Sequence, residues 1–155
     1  MRLTDLFQPE DLLVNFAPDD KWVAIEDLVS HLEGTGRLPA AAVEAARDAV
    51  LARERSQSTG MERGIAIPHA AVEEIDEIAA ALGVVRDEAG LPFECIDGHP
   101  AHLVVLLVIP RRQKLLHIRT LADVARVLGR DEVRQALLAA GSAQEAWEAL
   151  RQGES

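Results

Sequence analysis

The segment Leu103-Val104-Val105-Leu106-Leu107-Val108-Ile109 limits the possible folds of this chain more than any other. It is the longest strongly apolar run in the sequence. It is well short of the roughly 20 apolar residues that a membrane-spanning helix requires. Its nearly continuous Leu, Val and Ile content, with no polar alternation, is that of a central strand covered on both faces. The clearest strand is therefore placed at His102–Ile109, and it needs a helical layer on each side.

The flanking sequence supplies those layers. Leu12–Phe16, closed by Ala17-Pro18, reads as a first strand. Asp19 and Asp20 can cap a helix whose stripe is Trp22, Ile25, Val29 and Leu32. Gly34-Thr35-Gly36 stops it, and Pro39 suits the first turn of a second helix with the stripe Val43, Ala46 and Val50. Ser56 to Gly60 breaks that helix. Gly64–Pro68 reads as a short strand that ends at Pro68, which has no N–H to give a ladder. Ile78–Val85 is a further strand, and Glu88-Ala89-Gly90 and Asp97-Gly98 are turns. After His102–Ile109 come a helix with the stripe Leu121, Val124 and Leu128, a helix over Val133–Ala140, and a last one opened by Ser142 with Glu145. The order is one strand, two helices, three strands, three helices. Such segregated blocks give an α+β fold, expected as a three-layer α/β/α sandwich on a central mixed sheet. Its 155 residues suffice for one domain, residues 1–155, with a sizeable core.

Composition removes several function classes. With 26 acidic against 16 basic side chains, nucleic acid is an unsuitable partner. Aromatic residues make up only 3%, with no Tyr, which leaves little for base or sugar stacking. A lone Cys95 permits no intrachain disulfide and reads as a small buried hydrophobe. No signal peptide and no membrane-inserted segment are visible, so a cytoplasmic location is expected. His99 and His102 are not on a helix face and lack further ligands, so no metal is expected. No cofactor is expected either, because Gly60-Met61-Glu62-Arg63-Gly64 lacks the lysine and length of a nucleotide-binding loop. Charge is also uneven: eight basic and twenty acidic residues in the first hundred, eight and six in the remainder. Arg111, Arg112 and Lys114 form either a solvated loop or an anion-attracting rim.

Three residues are out of place. His69 follows Pro68 at the expected strand end, where it is either a satisfied histidine or a nucleophile, its unperturbed pKa being about 6.5. Arg53 extends the stripe of the second helix toward the core. A buried guanidinium needs an anionic partner, either Glu54 or a C-terminal carbonyl, or else a phosphoryl group. His117 lies on the apolar stripe of the helix after the central strand, near its N-terminus. There it is either bonded to backbone or donates a hydrogen bond to an anion.

Arg53-Glu54, Ser58-Thr59-Gly60 and Gly64-Ile65-Ala66-Ile67-Pro68-His69-Ala70 together resemble the IIA component of the bacterial phosphoenolpyruvate-dependent sugar phosphotransferase system. The branch is the fructose/mannitol type, which includes the nitrogen-regulatory IIA proteins. The resemblance covers essentially the whole chain. It implies a three-layer fold and a phosphoryl carrier. His69 would be the phosphoacceptor, charged by a histidine-containing phosphocarrier protein and discharged to a IIB domain or a regulatory target. Arg53 and His117 match the family's arginine and second histidine at the site. Met61-Glu62-Arg63 and Arg111-Arg112-Gln113-Lys114 depart from the family's usual small or acidic residues. Sugar transport and regulation of a partner protein are both compatible with the resemblance. A non-catalytic binding protein of the same fold is a third option, which the retained Arg53, His69 and His117 oppose.

Overall fold

The structure is a computed structural model and describes residues 2–154. A five-stranded mixed sheet lies between two helical layers, as the apolar run requires. In chain order the elements are α1 (Leu3–Leu6), β1 (Leu12–Leu13), α2 (Lys21–Gly34), α3 (Val43–Ser56), β2 (Ile65–Ala66), β3 (His69–Val72), β4 (Ala79–Val84), β5 (Leu103–Pro110), α4 (Lys114–Leu128), α5 (Asp131–Ala139) and α6 (Ala143–Gly153). The sheet order is β1-β4-β5-β2, with β3 also paired to β5. Only β4 and β5 run antiparallel.

Every residue of β5 is buried, and its side chains alternate between two cores. Val104, Leu106 and Val108 face α2 and α3, with Ala79, Ala81, Ala66 and Ala70 beside them. Leu103, Val105, Leu107 and Ile109 face the C-terminal helices, with Leu82, Val124, Leu128 and Leu150. A strand buried on both sides has no solvent face to mark by polar alternation, which is why its sequence is continuous. The small alanines of β4 let helices approach the sheet closely.

Several local expectations change. The first strand contracts to Leu12–Leu13, although Phe16 N–H still bonds Val84 O at 3.1 Å. Asp20 caps α2 through Val23 N–H at 2.8 Å, but Trp22 is 37% exposed. The buried stripe is instead Ala24, Ile25, Leu28, Val29 and Leu32. Pro39 precedes a 3₁₀ turn, Ala40–Ala42, rather than opening α3 directly. The short helix α1 was not expected from sequence.

The largest change concerns Pro68. The ladder is interrupted at Ile67 and Pro68, as expected, but pairing with β5 resumes at His69. Ile65 pairs with Leu103 and His69 with Leu107, so β2 and β3 share one register on β5. Pro68 costs one ladder donor, yet its carbonyl still accepts Leu107 N–H at 3.1 Å. The Ile67 N–H turns outward to Thr59 O at 3.1 Å, beside a Gly60–Ala66 bridge. His69 therefore opens a strand instead of trailing one.

Candidate functional site

His69 faces the layer of α4 to α6, because its register partner Leu107 belongs to that core. The last helical layer brings His117 to meet it. The two imidazoles stand edge to face, with ring centroids 5.5 Å apart and planes at 79°. His117 is half-buried in the first turn of α4, where free backbone N–H groups and the helix dipole favour an anion. Arg53 reaches the site from the end of α3 in the opposite layer, and its charge is felt at His69. The two histidines are thus brought into contact, and Arg53 lies near enough for its charge to bear on His69.

The His69 ring is oriented by its own strand. Nδ1 lies 2.7 Å from the Ile67 carbonyl oxygen, so Nδ1–H donates there. That bond assigns the tautomer and leaves Nε2 with its lone pair. Burial holds the His69 pKa below the ordinary 6.5; the Ile67 carbonyl opposes this, and the charges of Arg53 and His117 add to it. With its pKa held below 6.5 the ring is mostly neutral at pH 7, and Nε2 keeps the lone pair that a nucleophile needs.

Arg53 is not the core residue that the stripe predicted. It is half-buried, and its Nη1 donates to Gln57 O at 2.7 Å, the C-terminal carbonyl alternative. The buried position is Glu54, at 2% exposure. Its carboxylate accepts Thr59 N–H at 2.8 and 3.2 Å and pairs with Lys21 Nζ at 3.6 Å. Glu54 therefore pins the Ser58-Thr59-Gly60 loop to α3 and to the start of α2. Sequence periodicity could have found it, since Glu54 lies eleven positions from Val43 and returns to the same face.

The basic segment before α4 is largely compensated. Arg111 reaches Glu73 at 3.5 Å and Ala71 O at 3.3 Å, and Arg112 meets Asp76 at 2.6 Å. Glu62 lines a cleft with Met61, Ile96, Ala125 and Gly129, and Ala125 lies about 12 Å along α4 from His117. Leu115 and Ile118, 76% and 67% exposed, flank His117 on the outer face of α4. Cys95 is buried, and burial pushes its thiol pKa up. Among the described residues no group of three or more His, Cys, Asp or Glu side chains is placed to hold a metal. No helix there is long and apolar enough to cross a membrane.

Residues 5–153 match the family described as phosphoenolpyruvate-dependent sugar phosphotransferase system, EIIA 2. The PTS system fructose-specific EIIABC component of Bacillus subtilis is 34% identical over 142 residues, 92% of this chain. This chain spans only 22% of that longer protein. A nitrogen regulatory protein of Bradyrhizobium diazoefficiens is 31% identical over 151 residues, covering 97% of this chain and 95% of the relative. Among solved structures, the nitrogen regulatory protein IIA-Ntr from Neisseria meningitidis superposes with a TM-score of 0.82 at 24% identity, over 96% and 98% of the two chains. The mannitol IIA of Escherichia coli, solved in complex with phosphorylated IIB, gives 0.78 at 20% identity over 94% and 97%. These two likenesses speak for the fold, which is the expected three-layer α+β sandwich. With a family match over residues 5–153 and these relatives, the chain belongs to the EIIA type 2 family of the phosphoenolpyruvate-dependent sugar phosphotransferase system.

Proposed function

We propose that this chain is a phosphoryl carrier that accepts a phosphoryl group on Nε2 of His69 from a histidine-containing phosphocarrier protein. The observation that carries the reading is the neutral, backbone-anchored imidazole with Nε2 free beside His117 and within the field of Arg53. Phosphoryl transfer needs positioning and charge stabilisation more than covalent machinery. Nε2 attacks in line, its N–P bond forming as the donor's N–P bond breaks. Arg53 neutralises the equatorial oxygens, and His117 donates a hydrogen bond. Each such charged bond is worth about 1.5–3 kcal/mol. The first turn of α4 adds its dipole. Leu115 and Ile118 supply the apolar part of the surface on which donor and acceptor proteins dock. The downstream acceptor is a IIB domain, and the carrier needs no metal or cofactor.

A second reading shares this chemistry but not its destination. The near end-to-end match with a protein named as nitrogen regulatory supports a chain whose phosphorylation state controls a partner protein. Phosphorylation adds roughly −1.5 to −2 charge at the site, enough to alter which surface binds. Labelled phosphoenolpyruvate passed through the general components tests both readings. Wild type takes up acid-labile, alkali-stable label and His69→Ala takes up none. Label that moves on to a IIB domain favours transport, and label retained on the chain favours regulation. Label surviving in His69→Ala refutes the assignment.

A further inference from the structure

Only two buried side-chain polar atoms lack a hydrogen-bond partner among the described residues, Asp11 Oδ1 and Thr59 Oγ1. Asp11 is otherwise engaged, because its second oxygen accepts Gln8 N–H at 2.8 Å and meets Arg37 at 3.2 Å. Thr59 has a single side-chain oxygen, and that oxygen has no partner. A buried hydroxyl left unbonded costs free energy, and among the described residues Thr59 is the one whose buried side chain has no hydrogen-bond partner at all.

Its backbone is held from both sides. The N–H is gripped by the buried Glu54 carboxylate, and the carbonyl accepts Ile67 N–H at 3.1 Å. Ile67 O in turn accepts the Nδ1–H of His69. Thr59 is thus one backbone residue removed from the group that orients His69. The direction of its side chain follows from alternation. A Cβ on Gly60 would strike Phe93 O at 2.6 Å and Cys95 Cα at 2.9 Å, on the side of α2 and α3. Thr59 lies opposite Ile67 across the Gly60–Ala66 bridge, and continued alternation there turns its side chain toward the face of Ile67 and His69.

We propose that the Thr59 hydroxyl is a further donor to the phosphoryl group on His69, besides Arg53 and His117, and that Glu54 is the positioning residue that holds it there. The proposal rests on His69 being the phosphoacceptor. Thr59 takes no part in bond making. Its proton stays on Oγ1 and hydrogen-bonds a phosphoryl oxygen as the N–P bond passes from donor to Nε2. The hydroxyl is unbonded before transfer and bonded after it, so its stabilisation is felt only when phosphoryl is present.

Thr59→Val, Thr59→Ala and Thr59→Ser in the full chain test this, with single-turnover transfer from labelled phosphocarrier protein as the rate. The melting temperature is read with and without phosphate. Thr59→Val is isosteric and removes an unbonded polar atom, so the unphosphorylated protein melts at or above the wild-type temperature. Its transfer slows about ten- to a hundredfold, its phosphorylated form gains less thermal stability than wild type, and Thr59→Ser restores both. Thr59→Ala, which opens space rather than filling it, shows the same slowing if Val disturbs packing. Wild-type transfer by either folded variant lacking the hydroxyl overturns the proposal while leaving the His69 reading intact. A wild-type chain that takes no label on His69 overturns both.

Discussion

His69 and Arg53 carry the clearest consequences at the scale of single residues. The His69 pKa lies below 6.5 because burial, Arg53 and His117 all disfavour the cation. The native state then binds this proton less readily than the unfolded chain. The contribution of His69 to stability is complete above pH 6.5 and is lost as pH falls from there to the depressed native value. A ring-nitrogen NMR titration should give a midpoint below 6.5 that rises in His117→Ala; a midpoint at or above 6.5 contradicts the described environment. Arg53 makes one backbone bond in a half-exposed setting. Arg53→Ala should therefore slow transfer about ten- to a hundredfold with little change in melting temperature. An unfolded variant would make Arg53 a structural residue. In the sequence, the position after Pro68 singled out His69 and the stripe singled out His117, but the stripe misplaced this arginine. At about 100° per residue, position 53 lies about 80° from Val43 and position 54 about 20°. The angle places Glu54, not Arg53, on the buried face, whereas counting in steps of three and four residues drifts by a position over about three turns.

Elements are constrained mostly where backbones approach closely. A methyl group at Gly60 would meet backbone atoms of Phe93 and Cys95 at 2.6 to 3.0 Å, and backbone cannot easily retreat. Gly60→Ala should cost about 1–3 kcal/mol in denaturant unfolding and also slow transfer, because the loop holding Thr59 must shift. A methyl at Gly83 would meet the buried Phe16 ring at 2.3 Å, on the β1 side of the sheet. Gly83→Ala should lower stability by a similar amount, while its folded fraction transfers at the wild-type rate. Equal effects of the two on transfer would remove the link between the Gly60 loop and the site. The continuous apolar run made β5 legible, and the Asp20 cap made the start of α2 legible. The strand β3 was not, because a proline read alone signals a stop. Only the shared register of Ile65 on Leu103 and His69 on Leu107 shows that the strand resumes after it. Register depends on pairing with β5, which is distant in sequence, and no local pattern encodes it.

The molecule as a whole pairs a legible interior with a surface that composition describes only in outline. Three layers follow from Leu103–Ile109, since both faces of that strand need cover. The closure of the chain ends was not legible. Glu154 accepts Leu3 N–H at 2.6 Å, and Trp147 Nε1 donates to Phe7 O at 3.1 Å, contacts that join residues about 140–150 positions apart. The basic excess of the last third is partly used internally, with Arg111 on Glu73 and Arg112 on Asp76. What a partner meets is a chain of net charge −10. A donor with a basic face should associate more slowly as ionic strength rises, and a flat salt response would remove electrostatic steering. The central claim is that the phosphoryl group resides on Nε2 of His69, with Nδ1–H still bonded to Ile67 O. Phosphorus–nitrogen correlation NMR on the phosphorylated chain reads this directly. The account predicts one phosphohistidine signal, coupled to Nε2 of His69 and absent from His69→Ala. A phosphoryl group on Nδ1, on another residue or on none would contradict it.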